Sequence, residues 1–315
     1  MLGYEPRTNI ATEIDRRRDL SYDAFAAEYL HASKPVIITD ALSRWKALDR
    51  WTPEFFRREF GEMKFVVNGR EAGQEKYSGG DVREYTMAEF VGAVLVSTNE
   101  CPAPYFRNKV LRDVFPSLVK DIDPLPEYCY PNWLPESYVV KHVRTVLNRG
   151  AAIEIYIGGK GSAFPVLHYD GAGTHAFLMQ IYGRKQFIVF SPDQERYLYP
   201  SPEKLNLSLI DSVENPDLGR FPLFAKAVPT TFTLEPGEML FVPAHWWHTT
   251  KMLTPSITIS ANVLNQSNWR ELVEFVTRRQ HNPFVSLASR IYLTAAGARR
   301  SWRDRGWQPR TRAVN

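Results

Sequence analysis

The stretch "TTFTLEPGEMLFVPAHWWHTT", residues 230–250, sets two short apolar-alternating runs on either side of Pro236-Gly237. Proline presets the backbone angle of one turn position, and glycine accepts the positive φ of the next. Side chains alternate across a strand, so "TTFTL" and "EMLFVP" each read as a β-strand and the turn between them as a hairpin. Its neighbours share the pattern. "AAIEIYIGG", "HAFLMQIYG", "KQFIVFSP" and "SITISANVL" are short strand-like runs separated by turn signals. Residues 151–263 therefore predict an all-β sandwich or barrel.

The ends of the chain read differently. "SYDAFAAEYLHAS" has helical spacing, and "KPVIITDAL" looks like a buried strand. "WTPEFFRREFG" opens on Thr52 as N-cap with Pro53 at the first helical position, and Gly61 follows as a stop. "MKFVVNGR" alternates as a strand, and Thr86 and Glu89 of "TMAEFVGAVLV" stand in capping-box register. Residues 101–138 are punctuated by proline and read as a loop-rich connection whose aromatics need burial. After the β-rich part come two helices, "SNWRELVEFVTRRQ", capped by Ser267, and "NPFVSLASRIYLTAAG". The expected organisation is a helix/strand region over 1–150 packed on the core, the β core over 151–263, and C-terminal helices with a basic tail over 264–315.

Composition narrows the function classes. The 315 residues are 44% hydrophobic and 23% charged, as in a soluble globular protein. A net charge of +4 demands no nucleic-acid partner. Arg290 to Arg312 holds seven arginines and one acidic residue, Asp304, which reads as a solvated basic terminus. Cys101 and Cys129 lie far apart, excluding a zinc ribbon or a disulfide framework. The first twenty residues carry no apolar signal core, and no apolar run approaches the ~18–20 residues of a membrane span. A cytoplasmic location without membrane association is the expectation.

Chemistry concentrates in "LHYDGAGTHAF", residues 167–177. Side chains at i and i+2 of a strand share a face, so His168 and Asp170 converge on one point. A third donor has to come from a neighbouring strand, and "VPAHWWHTT" offers His248 just past the expected hairpin. Two imidazoles and one carboxylate on one face of a metal leave its other positions open. That is the facial triad of non-haem Fe(II) oxygenases. A histidine and an aspartate two apart are also common as ordinary hydrogen-bonded strand residues. The β-rich setting, the turn that brings in His248 and the lysine of the next strand set this pair apart.

With those elements in that order, "HYDGAGTHAFLMQIYGRKQFIVFSPDQ" followed by "LEPGEMLFVPAHWWHTT" resembles the JmjC-type, cupin-like 2-oxoglutarate oxygenases. The family includes the asparaginyl hydroxylase acting on hypoxia-inducible factor and many bacterial relatives. The likeness covers roughly 150–263 well, and "KPVIITDALSRWKALDRWTPEFFRREFG" more loosely. It implies a mainly β fold with flanking helices around a double-stranded β-helix (jelly-roll) core. It also implies Fe(II) held by His168, Asp170 and His248, with 2-oxoglutarate and dioxygen as co-substrates. Lys185, in "GRK", matches the family lysine that pairs with the distal carboxylate of 2-oxoglutarate. Its plainer reading is a strand-edge lysine reaching solvent. Asn262 matches an asparagine near the iron-chelating end, or simply satisfies a strand end. Tyr105 resembles a tyrosine that bonds the distal carboxylate.

Two positions depart from the family pattern. Pro165 stands where Ser or Thr is frequent, and Ala176 where Asn is frequent; the loop between Asp170 and Phe177 is about two residues longer. Thr174, two before Ala176, could replace one lost hydroxyl donor. His175 then faces away from the metal, as a substrate contact or a packed, hydrogen-bonded histidine. His245 sits on the loop three before His248, and Trp246 and Trp247 read as packing residues. Glu154 and Tyr156 are candidate substrate contacts, or polar residues on an exposed strand face.

The reaction implied is hydroxylation of an unactivated C–H bond, with 2-oxoglutarate decarboxylated to succinate. The substrate would be an amino-acid side chain in a peptide or protein, with some relatives demethylating N-methyl-lysine instead. Alternatives are a free amino acid or small natural-product intermediate, a metal-dependent cupin working without 2-oxoglutarate, and a non-catalytic peptide-binding module. In some relatives the C-terminal helices form a homodimer, and the same is expected here.

Overall fold

A computed structural model describes residues 13–68, 82–134, 153–278, 280 and 282–305. The first twelve residues, residues 135–152 and the basic tail beyond Arg305 lie outside the described residues. Twelve strands are described: β1 Asp15–Arg17, β2 Val36–Ile38, β3 Lys64–Asn68, β4 Val82–Thr86, β5 Phe106–Val110, β6 Ile153–Gly158, β7 His175–Tyr182, β8 Lys185–Phe190, β9 Thr230–Leu234, β10 Met239–Val242, β11 Trp247–Met252 and β12 Ser256–Val263. The helices are α1 Tyr22–Phe25, which continues as one π turn, α2 Ala47–Arg50, α3 Pro53–Phe60, α4 Met87–Val96, α5 Leu111–Val114, α6 Trp269–Arg278 and α7 Pro283–Arg303.

A seven-stranded sheet, ordered β1-β2-β10-β7-β12-β6-β5, packs against a three-stranded sheet, β11-β8-β9. β3 and β4 form a separate pair. Period-two alternation explains the layering. Phe177, Met179 and Ile181 of β7 and Ile257 and Ile259 of β12 point outward to Phe25, Tyr29, Phe56 and Phe90 of the N-terminal helical region. Each such side chain, fully buried, stabilises the fold by about 1.5–3 kcal/mol. The opposite faces meet between the sheets, where Ala176, Leu240 and Val242 contact Phe187, Val189 and Leu234. This is the expected mainly β jelly-roll with flanking helices.

The helix starts are where local chemistry places them. Thr52 accepts from the Phe55 N–H at 3.1 Å, with Pro53 in the first turn. Thr86 and Glu89 close a capping box. Ser267 does not cap α6: that helix begins at Trp269, and the Ser267 hydroxyl turns to Asn265 and His175 instead.

The expected 230–242 hairpin is not one. β9 pairs with β8 in the small sheet, whereas β10 lies between β2 and β7 in the large one. Gly237 does take a positive φ of 89°, but its N–H donates to Gln180 O while Gln180 N–H donates to Glu238 O. The turn is tied to β7 and carries the chain from one sheet to the other. The next connection, Pro243–Trp246, carries it back, so His248 is delivered by a sheet crossing. β1, β2 and β5 join the large sheet, so the region before residue 150 shares the core's hydrogen bonding as well as packing on it. Tyr105 and β5 belong to a stretch that reads as loop, and a register shift between Phe106 and Lys109 accounts for its irregular pattern. α7 packs on α6, closely enough that a Cβ on Gly297 would meet the Trp269 ring at 2.4 Å, and leaves Phe284, Leu287, Ile291 and Tyr292 exposed. Among the described residues, no helix is long and apolar enough to cross a membrane.

Candidate active site

His168 and His248 are locked opposite one another. The His168 N–H donates to His248 O at 3.1 Å, and the His248 N–H donates to His168 O at 2.6 Å. An antiparallel pair of this kind puts both side chains on one face. The two rings have centroids 4.4 Å apart. His168 lies in extended chain held by isolated bridges to Leu207 and His248, not in the regular strand that its spacing suggests. The i, i+2 relation survives because Asp170 is also extended (φ −64°, ψ 136°), and its Oδ1 lies 4.0 Å from His168 Nε2. Ligand atoms of His168, Asp170 and His248 all lie within 4.8 Å of one another.

Both imidazoles are oriented by backbone. His168 Nδ1 is 3.1 Å from Val166 O, and His248 Nδ1 is 3.1 Å from Trp246 O. A carbonyl only accepts, so Nδ1 carries the proton and Nε2 keeps its lone pair for a metal. Burial, with His248 alongside, holds His168 well below the usual histidine range and therefore neutral. Burial raises Asp170, and an Asn262 hydrogen bond partly offsets this. Two imidazoles and a carboxylate suit a divalent iron, whose charge would favour the ionised aspartate.

Asn262 also donates to Thr174 Oγ1 at 2.8 Å. Thr174 in turn donates its one hydroxyl hydrogen to Gly171 O at 3.1 Å. It therefore sits among the supports of Asp170, with its donor already engaged. Ala176 is buried between Val242 and Asn262 in register.

The other end of the candidate site is built on strands. Lys185, 3% exposed, donates from Nζ to the Tyr105 hydroxyl at 3.0 Å and lies 3.5 Å from Thr258 Oγ1. The rings of Tyr105, Tyr156 and Phe187 surround the ammonium at 5.4–5.7 Å. Among the described residues no carboxylate pairs with it, and burial pushes its pKa down to about 7. It is not the solvent-reaching edge lysine of the plainer reading. Thr250, two residues beyond His248 on β11, lies near the Tyr105 hydroxyl. Two strand steps are roughly 7 Å, so β11 runs from His248 toward the lysine.

Several contributors are not singled out by sequence reading. Thr258 donates to Gln180 Oε1 at 2.8 Å, fixing the floor beneath Lys185. Phe164 stacks on His168 with centroids 4.4 Å apart, and the Arg107 guanidinium lies 5.5 Å from the Phe164 ring. The signal for Thr258 is present in "SITISAN", whose polar positions alternate with outward-facing isoleucines. Tyr156 donates toward Glu154 at 2.6 Å and lies 3.0 Å from Asn108 Oδ1, on the face of β6 that meets Lys185. His175 points outward, buried, and His245 pairs with Glu271 at 2.9 Å, so neither joins the group of His168, Asp170 and His248. Trp247 is fully buried, and Trp246 donates to Ser33 O at 2.9 Å.

Comparison with known proteins identifies the family. Residues 22–272 match the family model described as Cupin-like domain. The chain belongs to the JmjC-type cupin-like family. Lysine-specific demethylase 8 of Danio rerio is 30% identical over 264 residues, covering 81% of this chain and 59% of that protein. JmjC domain-containing protein D of Dictyostelium discoideum is 30% identical over 262 residues, 77% of this chain and 54% of that protein. HSPB1-associated protein 1 of Homo sapiens is 39% identical over 128 residues, 40% of this chain and 25% of that protein. This JmjC-type cupin thus spans at most about three fifths of these relatives. The family match begins well upstream of residue 150, in keeping with the N-terminal strands that complete the large sheet.

Proposed function

We propose that the chain is an Fe(II)- and 2-oxoglutarate-dependent oxygenase that hydroxylates an unactivated C–H bond in an amino-acid side chain of a peptide or protein. Lys185 is the observation that carries this reading. A buried ammonium with only hydroxyl and aromatic neighbours is costly unless an anion joins it. A dicarboxylate with one end at His168, Asp170 and His248 and the other at Lys185 supplies that anion. Neither a simple binding module nor a cupin working without a dicarboxylate gives the lysine a partner.

When bound, iron and 2-oxoglutarate supply the oxygen chemistry; the chain's own residues bind, orient and exclude water. His168 and His248 present Nε2 because Val166 and Trp246 hold the Nδ1 protons. Asn262 keeps the Asp170 carboxylate aimed. Lys185 and Tyr105 fix the distal carboxylate, and the apolar walls from Phe187 and Val189 keep water scarce around that ion pair. A peptide or protein substrate is supported by relatives named as lysine-specific demethylases. Glu154 and Tyr156, on the face of β6 that meets Lys185, are suited to contact it.

The test is succinate release from 2-oxoglutarate with Fe(II) and air, alongside mass spectrometry of a peptide library. Iron-dependent succinate formation, coupled to one added oxygen or to loss of an N-methyl group, is expected. Fe(II)-loaded protein that neither binds nor decarboxylates 2-oxoglutarate would sink the reading.

A further inference from the structure

Outside the ligand set, a continuous polar network joins the two loops that carry the metal ligands. It starts at Ala244, four residues before His248, whose N–H donates to His175 Nδ1 at 3.0 Å. Because that nitrogen accepts, the proton of a neutral His175 lies on Nε2, 2.8 Å from Ser267 Oγ. The serine hydroxyl donates onward to Asn265 Oδ1 at 2.6 Å. The Asn265 N–H donates to Asn268 Oδ1 at 2.8 Å, and Asn268 Nδ2 donates to Gly173 O at 2.9 Å. Gly173 is three residues after Asp170. His175, Asn265 and Asn268 are 4%, 6% and 1% exposed, so little water is available to replace a lost bond.

The loops need such support. Ala172, Gly173 and His245 take positive φ values of 61°, 66° and 65°, and no regular ladder spans either loop. A Cβ on Gly173 would come within 2.2 Å of the Glu271 Cβ, and the Glu271 carboxylate holds His245 at 2.9 Å. The start of α6 therefore touches both ligand loops.

Resting on the reading of His168, Asp170 and His248 as a metal site, we infer that His175 and Asn268 are positioning residues for it. Through the segment after β12 they hold the His248 loop and the Asp170 loop at the separation one ion requires. Neither residue touches the metal. Their effect is on how closely the three ligand atoms are pre-arranged.

Co(II) titration followed by d–d absorption, with circular dichroism as the folding control, tests this on the full chain. His175→Phe keeps ring volume but loses both hydrogen bonds, and is expected to weaken Co(II) binding roughly tenfold and alter the spectrum. His175→Asn places an oxygen near the Nδ1 position to accept from Ala244 and is expected to recover most of the affinity. Asn268→Ala is expected to weaken binding to a similar degree from the Asp170 side. Ser267→Ala, which removes one hydroxyl and leaves the packing, is expected to cost about threefold; it decides the matter if the larger substitutions do not fold. Wild-type affinity and spectrum in the folded variants, or His175→Asn no better than His175→Phe, would overturn the inference. A wild-type protein that binds no Co(II) would instead remove the metal-site reading beneath it.

Discussion

The two ends of the candidate site are made in different ways. At the lysine end every contact comes from a strand or its immediate flank, and the ladder sets the geometry: Lys185 faces Leu234 on one side and Met252 on the other. At the metal end only His248 belongs to a strand. Asp170 and the loop before His248 rely on positive-φ residues and buried side-chain bonds. Sheet register tolerates loss of a side chain because backbone bonds hold each strand, whereas a loop held by side chains shifts when one is lost. The ends should therefore fail separately.

The largest effect is expected from Asp170→Ala. It removes the one anionic donor and leaves only two imidazoles, so metal affinity should fall by roughly 100-fold or more and succinate release should vanish. The strand end should survive, with an unchanged circular dichroism spectrum. A variant that titrates with Fe(II) like the wild type would show that the ion lies elsewhere.

Lys185→Met probes the other end. Losing one charge-assisted partner of about 1.5–3 kcal/mol should raise the KM for 2-oxoglutarate roughly 10- to 100-fold while leaving metal affinity intact. The lysine also imposes a pH signature. With its pKa lowered to about 7 from 10.5, the folded co-substrate-free protein releases this proton before the unfolded chain does. Between those values the unfolded state binds more protons, so this group makes stability rise with pH from about 7 to 10.5. Affinity for the dicarboxylate moves oppositely, falling above about 7 as the ammonium becomes neutral. Lys185→Met should abolish both dependences, and a wild-type affinity flat across that range would contradict the assignment.

The same contrast separates what was legible in the sequence from what was not. Alternation disclosed most strands of the core because one face of each meets the helices and the other the opposing sheet. It could not disclose partners. Pro236-Gly237 has hairpin chemistry, yet "EMLFVP" is apolar on both faces, and its buried ends take it between β2 and β7. His168, Asp170, His248 and Lys185 stood out because their residue types and order are unusual in an apolar β-rich stretch. Tyr105 was harder, since a bulged edge strand lacks clean alternation. Ser267 looked like an N-cap because it precedes an amphipathic run, but a buried imidazole competed for its hydroxyl. His175 read as a substrate contact or a packed, hydrogen-bonded histidine; the second is what the structure shows, but its partners Ala244 and Ser267 leave no period or motif.

The smallest effect, and the sharpest division between the ends, is expected from Tyr105→Phe. The substitution keeps the ring beside Lys185 and removes only the hydroxyl that accepts from its ammonium, with Thr250 close by. Burial holds the Tyr105 pKa far above its usual range, so the group is a neutral phenol throughout the working pH. A neutral hydrogen bond is worth about 0.5–1.5 kcal/mol, which corresponds to roughly 2- to 10-fold in the KM for 2-oxoglutarate. Thr250 lies only two residues from His248, and that makes the experiment informative. If β11 is held by its ladder with β8, the missing hydroxyl stays a local loss and Co(II) affinity is unchanged. A matching fall in Co(II) affinity would mean that the strand end transmits disturbance to His248, and that the two ends are mechanically one.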